Sequence, residues 1–162
     1  MFPAHLLSQA EHLLQRCRSH NLRIATAESC TGGLIAGVLT AVSGSSDVFE
    51  RGYVTYTNDA KHQMLGVAVG LFDTVGAVSQ EVALAMAEGA LTRSDADLAV
   101  SVTGIAGPGG GTDNKPVGLV HMALAQGEKK PLHQRLVFEG DRAAVRLGTV
   151  EAAIRMLTSA AD

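Results

Sequence analysis

The residues best suited to chemistry lie in Thr26-Ala27-Glu28-Ser29-Cys30-Thr31-Gly32-Gly33, where a hydroxyl and a thiol stand next to a carboxylate and two glycines. Ser29 admits two readings. It can cap a following helix with its hydroxyl, or present that hydroxyl as a nucleophile beside N–H groups that have no helical partner. Taken alone, the stretch favours the cap. Further polar groups recur downstream: Tyr56, Asn58 and Lys61, then Thr103 followed by the glycine-rich run Gly104-Ile105-Ala106-Gly107-Pro108-Gly109-Gly110-Gly111, and finally Arg142 and Arg146. Singly, Lys61 reads as a solvated helix lysine and Tyr56 as a sheet tyrosine with its hydroxyl at the rim. The glycine run has no Gly-Lys-Ser/Thr and does not fit G-x-G-x-x-G, so it carries no nucleotide-fold signature. Its glycines still let backbone N–H groups approach an anion or a carbonyl closely.

The elements that must position these residues follow from periodicity. Leu6, Leu7, Ala10, Leu13, Leu14 and Cys17 form the apolar stripe of an amphipathic helix. Leu22 to Ala27 reads as a strand, and Leu34, Ile35, Val38, Leu39 and Val42 recur at helical spacing, which makes 28–33 a strand-to-helix corner. A loop at Ser43–Asp47 leads to a strand over Gly52–Thr57, and Asn58 or Asp59 is placed to cap a short helix carrying Lys61, Met64 and Leu65. Leu71–Ala77 is open between a helical turn and a loop. Ser79 starts a helix to about Thr92, and Leu98–Val102 is a short strand. Val117–Ala125 and Leu132–Phe138 form a hairpin, and Asp141 caps a last helix whose stripe includes Ala143, Leu147, Val150, Ile154 and Leu157. Early strand–helix alternation with a late hairpin predicts an α/β chain, a single-domain three-layer α/β/α sandwich over residues 1–162 with a mixed sheet. In such sheets ligands gather at strand carboxyl ends. Ser29, Tyr56 with Lys61, and Thr103 with Gly104 each follow a strand, so they are expected to share a cleft.

Composition narrows the function classes. The 162 residues are enough to bury roughly 70% of the surface that the unfolded chain exposes. A formal charge of −3, from 13 basic and 16 acidic residues, without a basic cluster, disfavours nucleic acid and an anionic membrane as partners. Cys17 and Cys30 have neither metal-ligand nor disulfide-framework spacing, and no long apolar span or signal peptide is evident; a cytoplasmic setting is expected. Arg142 and Arg146 sit in the first turns of a helix, where cations oppose the dipole. At least one is expected to meet a carboxylate or an anionic ligand, with Arg146 the better candidate for surface decoration.

Five blocks in order, residues 26–33, Gly-Tyr-Val-Thr-Tyr-Thr-Asn-Asp-Ala-Lys at 52–61, Ser-Val-Thr-Gly-Ile-Ala-Gly-Pro at 101–108, Lys-Pro-Val-Gly at 115–118 and Gly-Asp-Arg at 140–142, resemble the CinA carboxy-terminal domain family. The resemblance spans nearly the whole chain. Ser43 stands where a proline is frequent and Arg51 where a second glycine is frequent. No counterpart of the amino-terminal domain of full-length CinA proteins is evident, so a stand-alone form is expected. The family's enzymes are nicotinamide-nucleotide amidohydrolases, and the resemblance implies hydrolysis of the carboxamide of nicotinamide mononucleotide without metal or cofactor. A homodimer or larger homo-oligomer is implied in the same way.

Under that resemblance Ser29 is the nucleophile. A serine needs a base, and because none of the six histidines stands in a triad motif, Lys61 is the candidate, with its pKa lowered by burial or a nearby cation. Tyr56 is expected to relay the proton or hold Lys61, and the N–H groups of Cys30 to Gly32 to form an oxyanion hole. Substrate-binding candidates are Glu28, Cys30, Thr31, Gly32, Gly33, Asn58, Thr103, Gly104, Gly107, Gly109, Gly110 and Arg142. Among them Asn58 orients the carboxamide and Arg142 meets the phosphate. Glu28 is open between hydrogen-bonding the substrate and pairing with Lys61 or an arginine. Cys30 is the rival nucleophile, since thiolates are intrinsically better ones. From another class, a non-catalytic nucleotide-binding or protein-interaction module would keep the fold without needing Ser29, Tyr56 and Lys61 together.

Overall fold

The first helix, α1 (Ala4–Ser19), buries Leu6, Ala10, Leu13, Leu14 and Cys17 and leaves its polar face in water. The computed structural model describes all residues, 1–162, and continues with β1 (Ile24–Glu28), α2 (Leu34–Thr40), a 3-10 turn at Ser45–Asp47, β2 (Phe49–Val54) and α3 (Asn58–Leu65). Then come α4 (Val69–Thr74), α5 (Gln80–Thr92), β3 (Leu98–Gly104), β4 (Leu119–Gln126), β5 (Leu132–Val137) and α6 (Arg142–Ala160). The open stretch at 71–77 thus falls largely into α4.

The strands form one sheet in the order β2-β1-β3-β4-β5. β2, β1 and β3 are parallel, and β4 and β5 add antiparallel pairs, so the sheet is mixed. β1 and β3 are buried on both faces, as parallel strands covered by helices must be. α1, α2 and α6 cover one face around a large aliphatic core that includes Leu13, Leu39, Val100, Met122 and Leu157. α3 and α5 cover the other through Leu65, Val82, Met86 and Ala90 against Ala25, Ala27 and Ala99. The result is the expected three-layer α/β/α arrangement. Small residues set its close approaches: a Cβ on Gly89 of α5 would run into the Leu65 carbonyl at the end of α3, so glycine lets these helices touch.

β2 is three residues out of step with the strand expected at 52–57, running from Phe49 to Val54. Parallel pairing with β1 decides this, because Glu28, the last residue of β1, stands opposite Val54. Tyr56 and Thr57 therefore lie beyond the strand, at the mouth of the sheet.

Candidate active site

The three parallel strands end side by side, with Glu28 opposite both Val54 and Val102. The pairing runs one residue further on each side: the Ser29 N–H donates to the Val102 carbonyl at 3.1 Å, and the Thr55 N–H donates to the Glu28 carbonyl at 2.8 Å. Ser29 is thereby fixed at the carboxyl edge. Thr57 caps α3, accepting from the Ala60 N–H, so neither Asn58 nor Asp59 serves as the cap. The first turn of α3 then aims Lys61 back across the sheet edge, where its Nζ lies 2.9 Å from Ser29 Oγ.

Lys61 is 1% exposed, and its other partners are the carbonyls of Thr55 at 2.9 Å and Tyr56 at 3.4 Å. No carboxylate pairs with it. Burial therefore pulls its pKa down to about 8. A neutral amine in this position can donate its two N–H groups to the carbonyls and turn its lone pair to the serine hydroxyl. That is the arrangement a general base requires.

The Ser29 hydroxyl does not cap α2. Glu28 does, in place of the expected contact with substrate, Lys61 or an arginine. It is fully buried and points under the turn: Oε2 accepts from the Thr31 hydroxyl at 2.6 Å and from the N–H groups of Gly33 and Ile35 at 3.0 Å, and Oε1 from the Ala36 N–H at 2.8 Å. Gly33, at φ +97°, makes the reversal that brings these groups back over the carboxylate. Thr31 is likewise wholly buried and bonded to Glu28, which removes it from the substrate side. The Gly32 N–H is spent on the Ser29 carbonyl and the Gly33 N–H on Glu28, which takes both glycines out of the expected oxyanion hole. The N–H groups of Cys30 and Thr31 donate to no protein oxygen. Cys30 lies beside Ser29 but its thiol is buried, and desolvation pushes its pKa up to about 11, so it is held protonated.

A cavity of about 220 Å³ opens over Ser29 and Lys61, lined also by Cys30, Tyr56, Asn58, Thr103 and Gly104 and by Ala77, Val78, Ala106 and Arg142. No histidine lines it. The structure thus brings together residues from all four expected regions. Tyr56 differs from expectation in how it contributes: its main-chain carbonyl meets Lys61, while its exposed phenol accepts from Arg142 Nη2 at 2.9 Å and does not touch the lysine. Arg142 Nη1 also donates to the Gly107 carbonyl at 2.8 Å. Gly107 is accordingly an anchor for the arginine and not part of the cavity wall. Gly109 and Gly110 are exposed and line nothing there, since the loop turns outward after Gly107. Arg146 is not surface decoration: it donates from Nε to the Cys30 carbonyl at 3.2 Å and from Nη2 to the Thr31 carbonyl at 3.0 Å. Ala77, Val78 and Ala106 had no polar signature by which sequence could single them out.

A sequence profile of the CinA C-terminal domain matches residues 7–161. The chain belongs to the CinA C-terminal domain family. Members differ in length. The chain is 45% identical over 157 residues to the nicotinamide-nucleotide amidohydrolase PncC of Escherichia coli strain K12, covering 97% of this chain and 95% of that one. It is 59% identical over 116 residues to a CinA-like protein of Colwellia psychrerythraea, of which it spans only 27%. The solved structure of the competence/damage inducible protein CihA from Agrobacterium tumefaciens superposes with a TM-score of 0.96 at 51% identity, covering 98% of this chain and 97% of that one. No helix is long and apolar enough to cross a membrane.

Proposed function

We propose that the chain hydrolyses the carboxamide of nicotinamide mononucleotide to nicotinate mononucleotide and ammonia, through an acyl-enzyme on Ser29 with Lys61 as general base. The observation that carries this reading is a buried, unpaired lysine 2.9 Å from the serine hydroxyl, in a relative of an enzyme named for that reaction. Lys61 takes the hydroxyl proton as Ser29 Oγ bonds to the carboxamide carbon. The oxyanion collapses, the C–N bond breaks, and Lys61 returns the proton to the leaving nitrogen, releasing ammonia. Water then attacks the ester, again giving a proton to Lys61, and the Ser29 hydroxyl is restored as the carboxylate product leaves.

The surroundings support the same substrate class. Asn58 and Thr103 line the cavity near the reacting pair, where Asn58 orients the carboxamide. Arg142 lies between that cavity and a neighbouring one of about 660 Å³ over Gly140 and Arg146. It has no carboxylate partner, and a guanidinium so placed suits a phosphate. A non-catalytic interaction module, the reading that the competence-related names of relatives suggest, has no use for a buried lysine without an anion, which lowers stability.

Ammonia release with nicotinamide mononucleotide is the test. Ser29→Ala should lose activity by at least about a hundredfold, while Cys30→Ala keeps most of it. The opposite pattern would make Cys30 the nucleophile. Activity on a different nucleotide amide alone would move the substrate and leave the chemistry in place.

A further inference from the structure

The turn that carries Ser29 is clamped from two sides. Beneath it the Glu28 carboxylate gathers the N–H groups of Gly33, Ile35 and Ala36. Across from it, 115 residues along the chain, Arg146 reaches from α6 to bond the carbonyls of Cys30 and Thr31 with two different guanidinium nitrogens. Between these clamps the Cys30 N–H, on the wall of the cavity over Ser29, donates to no protein oxygen and has only its own thiol beside it. Buried N–H groups without partners are uncommon, because each forfeits a hydrogen bond. One that borders the cavity next to a reactive hydroxyl is suited to an incoming oxyanion.

We infer that Arg146 is a positioning residue for amide hydrolysis, acting through the backbone that follows Ser29; the inference rests on the Ser29 acyl-enzyme reading above. A guanidinium bonded to the carbonyls of Cys30 and Thr31 ties the backbone that follows the Cys30 N–H to α6. With both carbonyls held, the two peptides after Cys30 cannot rotate, so the turn keeps the Cys30 N–H in place without reorganisation when charge develops. Arg146 makes no ion pair, which leaves its charge available to the turn. Arg142, one helical turn earlier, has different partners and a different task.

Steady-state ammonia release by Arg146→Gln and Arg146→Lys, with nicotinamide mononucleotide and its unphosphorylated riboside, tests this assignment. Arg146→Gln should lower kcat by about tenfold to a hundredfold, somewhat less than outright loss of an oxyanion donor. KM should stay within about threefold for both substrates, and the pH midpoint set by Lys61 should not move. Arg146→Lys can hold only one carbonyl well and should recover part of kcat. Guanidinium ion added to Arg146→Ala should raise its kcat, a gain that a purely structural role does not predict. Arg142→Ala serves as contrast, with KM rising for the nucleotide and not for the riboside. The assignment is overturned if every folded Arg146 variant keeps kcat within about twofold. It is equally overturned if their defect is the nucleotide-specific KM rise expected of Arg142. A native chain that releases no ammonia from either substrate overturns the parent reading instead.

Discussion

At the scale of single residues, Lys61 combines a cost to stability with the lowered pKa that the proposed base role needs. Its pKa falls from an ordinary 10.5 to about 8 because burial disfavours the charged form. The rate of amide hydrolysis should therefore climb as pH rises through about 8, and Lys61→Met should lose at least about a hundredfold at any pH. Stability should move the other way. The folded pKa lies below the unfolded one, so the penalty is complete below about pH 8 and is relieved as pH rises from there towards 10.5. At pH 7 it is worth about 3 kcal/mol, against about 1 kcal/mol for each hydrogen bond to the Thr55 and Tyr56 carbonyls that methionine gives up. Lys61→Met should be the more stable protein at pH 7, and its advantage should shrink at pH 9.5, as measured by urea unfolding. Cys30 shows the converse, since the same burial that frees an amine locks a thiol in its protonated form. One environment thus lowers the pKa of an amine and keeps the neighbouring thiol protonated.

At the scale of elements, the α2 corner shows how local rules mislead at a reversal. A serine just ahead of a helical pattern is a good cap by residue type, yet the cap is Glu28, the last residue of β1, reaching forward past Ser29. Freed of that duty, the hydroxyl can face Lys61. Glu28→Gln should remove this support, because an amide presents N–H groups where the turn offers only donors. A buried mismatch of that kind should cost about 2–3 kcal/mol in urea unfolding. If stability were unchanged and KM alone rose, Glu28 would belong to the substrate after all. α3 makes the complementary point: Thr57 sets where the helix starts, and the helical turn from there to Lys61 decides where the amine arrives.

At the scale of the whole molecule, the sheet order makes a site out of separate pieces. β1 lies between β2 and β3, so the residues after all three strands converge, and β1 and β3 are buried throughout while β2 and β5 form the edges. Amides of β1 and β3 should exchange with solvent last and those of β5 among the first, as peptide-resolved hydrogen exchange would show. Protection of β5 equal to that of β3 would mean that its edge is paired in solution. Much of this was legible in advance. The apolar stripes of α1 and α6, the β-branched runs and the hairpin announce the layers, because period and turn chemistry are local properties of the chain. The polar clusters at 29, 56–61 and 103–104 were visible as strand-end residues for the same reason. Tertiary structure alone decided their placement: that Lys61 is dry and touches Ser29, that Glu28 faces inward, that the phenol of Tyr56 meets Arg142, and that Arg146 bonds the turn. The Glu28 contacts reach only 3 to 8 positions but depend on burial, while the others join residues 32 to 115 positions apart, and a hydrogen bond across such a distance exists only once the sheet has brought its strand ends together.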